Sequence, residues 1–311
     1  MLLLLTITFP IFAVILAGYL SAWRGLIDSP GIKGLTGFVY YFALPLMLFH
    51  LFANAPVAEQ FDGGFVLVYF VVGLAVHLTG LFTARWLFKC RWSEQAIQGI
   101  AVTFGNGVFI GLPVTTGLFG EAANMPVLLA ITIENGVLMP LTVALLEIER
   151  AGRGAIARAA LVALKGILRN PVIMPVLIGA SVALLGIGVP AVLDELIKLV
   201  RGATVPCALF ALGATLAGLP LTERFRETGF MVVMKLFVYP ALVYLAMRLL
   251  LPDLDPVWRA VAVIAAAMPI GANVYLIAAR YDAYVQRTST AVFASTLVSV
   301  VTVSALVVVF G

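Results

Sequence analysis

Two stretches decide how this chain folds. The first runs Thr103-Phe104-Gly105-Asn106-Gly107-Val108-Phe109-Ile110-Gly111-Leu112-Pro113, and the second Ala266-Ala267-Met268-Pro269-Ile270-Gly271-Ala272-Asn273-Val274-Tyr275. Each sets Gly, Pro and Asn in the middle of an apolar run. Proline removes a backbone donor and glycine loosens a helix. The N–H and C=O groups that such a break frees must, within hydrocarbon, face protein or a water-filled cavity.

The rest of the chain supplies the hydrocarbon. Of its 311 residues 63% are hydrophobic and 11% charged, and the mean hydropathy is +1.12. Soluble domains carry about 45–50% apolar and about 25% charged residues. A water-soluble enzyme is therefore excluded, and so is a disordered chain, which needs low hydrophobicity and high charge. Apolar runs at about 2–22, 34–54, 64–87, 95–119, 122–146, 171–189, 195–218, 229–251, 257–280 and 288–310 have the length of helices that cross a bilayer. The two quoted stretches fall in the fourth and ninth runs. The first run lacks a basic start and reads as a span, not as a signal peptide. The expectation is an all-α polytopic membrane protein with ten transmembrane helices.

Charge gives an orientation. Fifteen of the 19 Lys and Arg fall in one set of alternate loops, including Arg150, Arg153, Arg158, Lys165 and Arg169. The other set holds Lys198, Arg201, Arg248 and Arg259 with Glu59, Asp62, Asp253 and Asp255. The first set is cytoplasmic by the positive-inside rule, which leaves both termini outside. The stretch 147–170 reads as a basic, partly amphipathic connector on the inner membrane surface. A net charge of +4 thus reflects topology and not nucleic-acid binding. Cys90 and Cys207 are far apart, in no pattern that suggests a metal or a disulfide.

The halves match at an offset of 161, which lays Pro10 on Pro171, Gly18 on Gly179, Pro45 on Pro206 and Phe49 on Phe210. Residues 1–146 and 171–311 then form two five-helix repeats joined by 147–170. Five is odd, so the repeats insert in opposite orientations. Inverted repeats with broken helices at matching positions place a substrate site at the midplane of secondary transporters, with the positive ends of half-helices toward an anion. Candidate substrate-binding residues are Asn106, Gly107, Pro113, Asn135, Pro269, Gly271, Asn273 and Tyr275. The same asparagines would equally serve as glue between helices.

Glu134 lies midway along the fifth run. A charge there costs about 2.5–3.5 kcal/mol on insertion scales. It is the candidate for binding a coupling proton or cation, with bracing of the fourth run as the alternative. His50, His77 and Lys235 are weaker candidates: the histidines for proton relay or plain packing, the lysine for snorkelling or for meeting an anion. No catalytic residue and no metal ligand is assigned.

The segments Phe104-Gly105-Asn106 through Gly111-Leu112-Pro113 with Gly120, Asn170-Pro171, and Met268 through Asn273 with Ala278 to Tyr281 carry a resemblance. In them the chain resembles the auxin efflux carrier family, in particular its short bacterial members that transport malonate or malate. The resemblance implies a fold similar to bile-acid symporters, with the fourth and ninth helices crossing at Pro113 and Pro269. It also implies elevator-like motion of a transport domain against a scaffold. The long cytoplasmic loop of many plant members is absent, so auxin itself is a poor expectation.

The expected function is secondary active transport of a small organic anion, a mono- or dicarboxylate such as malonate or malate, by proton- or cation-coupled symport. The setting is the inner (plasma) membrane among lipids, with no cofactor beyond a coupling H+ or Na+ and with a homodimer left open. The alternatives are a carrier of an aromatic weak acid and a channel or receptor. An enzyme is disfavoured because no GxSxG motif, paired intramembrane aspartates or Walker motif occurs.

Overall fold

A computed structural model describes residues 4–151, 156–221 and 224–311. The start expected for the first run, near residue 2, and Arg153 in the connector lie outside the described residues. Every element of regular structure among the described residues is a helix, apart from one isolated antiparallel bridge.

Among the described residues, seven helices are long and apolar enough to cross a membrane: α1 (Thr6–Trp23), α2 (Ser29–Ala53), α3 (Gly63–Trp86), the run Gly107–Arg150, α10 (Ala191–Ala217), α11 (Phe225–Leu250) and α14 (Val285–Phe310). An eighth is reached if the pair Leu161–Leu168 and Ile173–Leu184, bent by 61°, counts as one span. This differs from the ten expected runs at identifiable places. The fourth and ninth runs are divided, leaving α4 (Trp92–Ala101), α12 (Pro256–Ala266) and α13 (Ala272–Arg280) too short to count alone. The run Gly107–Arg150 joins two expected spans across Gly120, whose φ of 62° turns the chain between α5 (Leu112–Phe119) and α6 (Asn124–Ile133). A π-helical turn, Glu134–Leu138, then connects α6 to α7 (Met139–Ala151). Beyond it, α8 (Ile156–Leu168) packs back on α7 and leads to α9 (Ile173–Leu184).

The helices pack in two sets. In one, α1 lies along α10 and α2 lies along α9, with α10 also against α2. In the other, α3 packs on α4 and α11, α12 on α6 and α11, and α14 on α11 and α13. Lipid is as apolar as a leucine side chain, so helices in a membrane associate by close packing, which small residues permit. A side chain on Gly18 of α1 would run into the backbone carbonyl of Phe210 in α10. One on Gly179 of α9 would run into the carbonyl of Phe49 in α2. These four residues are two of the pairs matched at offset 161, so one contact is made twice with the partners exchanged.

This contact yields a first test. Gly18→Ala must push α1 away from a backbone atom, an overpacking cost of about 1–3 kcal/mol. Its thermal midpoint in detergent is expected several degrees below wild type, and that of Gly34→Ala unchanged or slightly higher, because nothing lies within 4 Å of a Cβ there. Equal midpoints would show that the seam tolerates separation.

Candidate functional site at the helix crossing

The break after α4 and the break after α12 meet. The helix ends before Pro269 because proline lacks an N–H and disfavours helical geometry in the residue before it. On the other strand, Thr103 turns its hydroxyl back onto the carbonyls of Gly99 and Ile100. The freed backbone groups then pair reciprocally. The Asn106 N–H donates to the Pro269 carbonyl at 2.8 Å, and the Gly271 N–H donates to the Phe104 carbonyl at 3.1 Å. Gly105 and Ile270 face each other as an antiparallel bridge.

The crossing therefore lies at Gly105, not at Pro113 as the resemblance implied. Pro113 lies inside the half-helix that starts at Gly107, just past its π-helical turn Gly107–Gly111. The chain stays helical through it, the wider turn before the proline absorbing the missing N–H.

Side chains from neighbouring helices satisfy what the bridge leaves over. The Gly105 N–H donates to Glu134 Oε2 at 3.0 Å, and the Ile270 N–H donates to Ser295 Oγ at 3.1 Å. Glu134 and Ser295 are themselves separated by 161 residues, so a carboxylate and a hydroxyl do the same work on the two strands. Glu134, 3% exposed, also accepts from the Tyr69 hydroxyl at 3.0 Å. Lys235 is fully buried and does not snorkel. Its Nζ donates to the last carbonyl of α12, Ala266, at 2.5 Å and stands 4.9 Å from the centre of the Tyr239 ring. A Cβ on Gly105 would sit 3.0 Å from that ammonium, so the crossing is lined by a cation as well as a carboxylate.

The expected site residues divide. Asn106, Pro269 and Gly271 form the bridge itself. The Asn106 side chain, on a residue only 7% exposed, makes no hydrogen bond among the described residues. Gly107 follows directly and packs against Ile131. Asn273 and Tyr275 lie along α13, both partly exposed. Asn135 is turned away, its amide donating to the Ile131 carbonyl at 2.9 Å in its own helix. His77 is buried with neither ring nitrogen hydrogen-bonded among the described residues, and His50 meets Asp194 at 2.7 Å. The reading missed Tyr69 and Ser295. The offset that pairs Gly18 with Gly179 carries Glu134 onto Ser295, so that signal was available.

Away from the crossing, Arg287 bridges Glu94 at 3.3 Å and Glu227 at 3.7 Å, tying the starts of α4, α11 and α14 together. Tyr281, just past α13, is held up at about 12 by burial and by its hydrogen bond to Glu147, so it stays a neutral donor. The clefts that open on the surface of the described residues include two of contrasting character. One of about 380 Å³ is walled by Glu59, Asp62, Asp253 and Asp255. Asp62 and Asp255 there already accept from the first turns of α3 and α12. The other, of about 290 Å³, lies beside Pro113 between α5, α2 and α10.

Paired, side-chain-sealed breaks within an apolar helical body suit a protein that moves solutes across a membrane, and comparison with known proteins agrees: the chain is a membrane transporter. It belongs to the membrane transport protein family, auxin efflux carrier-like, whose pattern matches residues 3–307. It is 37% identical over 305 residues to a protein of Rhizobium meliloti (strain 1021) named "Putative malonate transporter", covering 96% of this chain and 92% of that one. It is 27% identical over 297 residues to "Uncharacterized transporter YfdV" of Escherichia coli (strain K12), covering 94% and 93%. A further likeness, 27% over 252 residues, is to the "Lysosomal cholesterol signaling protein" of Mus musculus, covering 74% of this chain and 28% of that one. Family and the first two names point to a transporter rather than an enzyme.

The polar seal generates a second test. Glu134→Ala leaves the Gly105 N–H and the Tyr69 hydroxyl without their acceptor, at about 1–3 kcal/mol for each orphaned group. It also strands Lys235 without the nearby negative charge. Glu134→Gln keeps an acceptor and is expected to lose less in thermal midpoint. Adding Lys235→Met to Glu134→Gln is expected to recover part of that loss, because the uncompensated buried charge goes. Strict additivity of the two would show that the groups do not sense each other.

Proposed function

We propose that this chain is a secondary active transporter of a small organic anion, a mono- or dicarboxylate such as malonate. The observation that carries the reading is the crossing. Both outgoing half-helices begin there, one after Asn106 and one after Gly271, and neither is capped by the side chain of its N-cap residue. Helix N-termini hold unsatisfied N–H groups and a partial positive charge. Two of them converging beside the unpaired Asn106 amide make a polar, electropositive point inside an apolar body, which suits a carboxylate. Asn273 and Tyr275 on α13, and Gly107 and Pro113 on the other half-helix, complete the path.

Alternation follows from the two packing sets. We take α1, α2, α9 and α10 as the scaffold, and α3–α7 with α11–α14 as the moving body, in elevator-like fashion. Three things support two inverted five-helix repeats: the exchanged Gly18–Phe210 and Gly179–Phe49 contacts, the reciprocal bridge, and the equivalent placing of Glu134 and Ser295. In this reading residues 1–146 and 171–311 are the repeats, joined by 147–170. Ten spans set both termini outside the inner membrane. Glu134 is the coupling group for a proton or cation, since its protonation state bears directly on the Gly105 N–H. The name of the Rhizobium relative makes malonate the first substrate to try.

The test is counterflow of labelled malonate in proteoliposomes with an internal unlabelled pool, with proton and sodium gradients imposed in turn. Saturable exchange is expected in wild type. In Asn106→Ala it is expected to fall roughly 10–100-fold, the equivalent of one hydrogen bond to a charged ligand. The gradient that drives accumulation names the coupling ion. Flux that rises linearly with concentration, or is unchanged in Asn106→Ala, would refute a carrier working through this site.

A further inference from the structure

The four basic residues that the charge pattern sets on the outer side do not share one fate. Lys198 is held by Asp194 at 2.7 Å and by Glu195 at 2.9 Å. Arg248 donates to the Tyr244 hydroxyl at 3.2 Å. Arg259 donates to the carbonyls of Leu251, Pro252 and Leu254. Arg201 has no hydrogen-bond or ion-pair partner among the described residues, although it is the eleventh residue of the 27 in α10. At 1.5 Å per residue that is roughly 15 Å along the helix. Intramembrane arginines are rare, costly and by default functional, facing an interior cavity.

Arg201 lines the cleft of about 290 Å³, opposite Thr116 and Asn124. The Thr116 hydroxyl donates to the Leu112 carbonyl at 2.8 Å and keeps its oxygen lone pairs. Asn124 stands where the 3-10 turn Gly120–Ala123 runs into α6, its backbone N–H already donated to the Glu121 carbonyl. The wall therefore combines a free guanidinium, a hydroxyl and a carboxamide, with no carboxylate. The other cleft, ringed by acids, has the opposite character. The volume is about that of nine or ten waters, ample for a dicarboxylate with a three-carbon backbone. One wall comes from α2 and α10, the other from α5 and the start of α6, so the cleft lies on the boundary between the two packing sets.

We propose that Arg201 is the charge-recognising residue of an anion site in this cleft, binding one carboxylate of a small dicarboxylate in the fork of its guanidinium. The inference rests on the transporter reading for its ligand. It adds a site one step outside the crossing, on the scaffold side. A dicarboxylate with one end at Arg201 sets its second charge toward Thr116 and Asn124 in the same cleft, which distinguishes it from a monocarboxylate.

Two readouts separate this inference from the transport reading. Binding is read as the rise in thermal midpoint of detergent-purified protein with increasing malonate, and transport as counterflow. Wild type is expected to be stabilised by malonate. Arg201→Gln is expected to need at least tenfold more malonate, with its ligand-free midpoint unchanged because the side chain is exposed. Arg201→Lys should recover part of the affinity, and Lys198→Gln should behave as wild type. Malonate that fails to stabilise wild type, or stabilises Arg201→Gln equally, would overturn the inference. So would stabilisation by phosphatidylglycerol that malonate does not reproduce, since the cation would then serve lipid. Binding that depends on Arg201 with no counterflow in wild type would uphold the site and sink the transport reading.

Discussion

Backbone polar groups cannot be left bare in hydrocarbon, and the centre of this molecule is arranged around that constraint. Two helices are interrupted where water is absent. Each interruption frees donors and acceptors whose desolvation costs several kcal/mol apiece. The strands answer one another through two hydrogen bonds, and the remainder is met by Glu134, Ser295 and Lys235. Without the bridge, Ser295 and Glu134 would no longer find the N–H groups of Ile270 and Gly105 in place. Remove the side chains and the bridge is left short of them.

The periphery obeys a different rule. Between α1 and α10, and between α9 and α2, the helices meet at glycines whose backbone lies against backbone. Glycine lets backbone approach backbone, and dispersion over the long contact does the rest. Such seams are stiff because their geometry has no slack. A stiff peripheral frame thus lies beside a polar, hydrogen-bonded centre where the backbone is broken.

Much of this was legible in the chain. Composition alone demanded membrane helices, and Gly, Pro and Asn in mid-run marked where two of them break. The offset of 161 named the glycines and phenylalanines that meet. What was not legible follows from the physics of prolines and of distance. Pro113 looked like a break, yet the chain stays helical through it behind a π-helical turn, so the crossing lies earlier, at Gly105. Lys235 looked free to reach the surface, but the carbonyl that holds it belongs to a helix 31 residues away in sequence. Asn135 looked like a pocket residue until its own turn claimed it. Arg201 was read only as one of a loop's charges, because its lack of a partner shows only in three dimensions. Seven helices among the described residues pass a length test, against ten apolar runs, because breaks and tight turns divide or join stretches that composition counts separately.

The sealing of the two strands is symmetric in position and asymmetric in kind. A serine hydroxyl has one charge state at every pH a cell meets, whereas a carboxyl has two. The N–H of Ile270 is therefore held by a constant partner, and the N–H of Gly105 by a variable one. Of two strands that hold each other in place, only one is held by a group whose charge a proton can change.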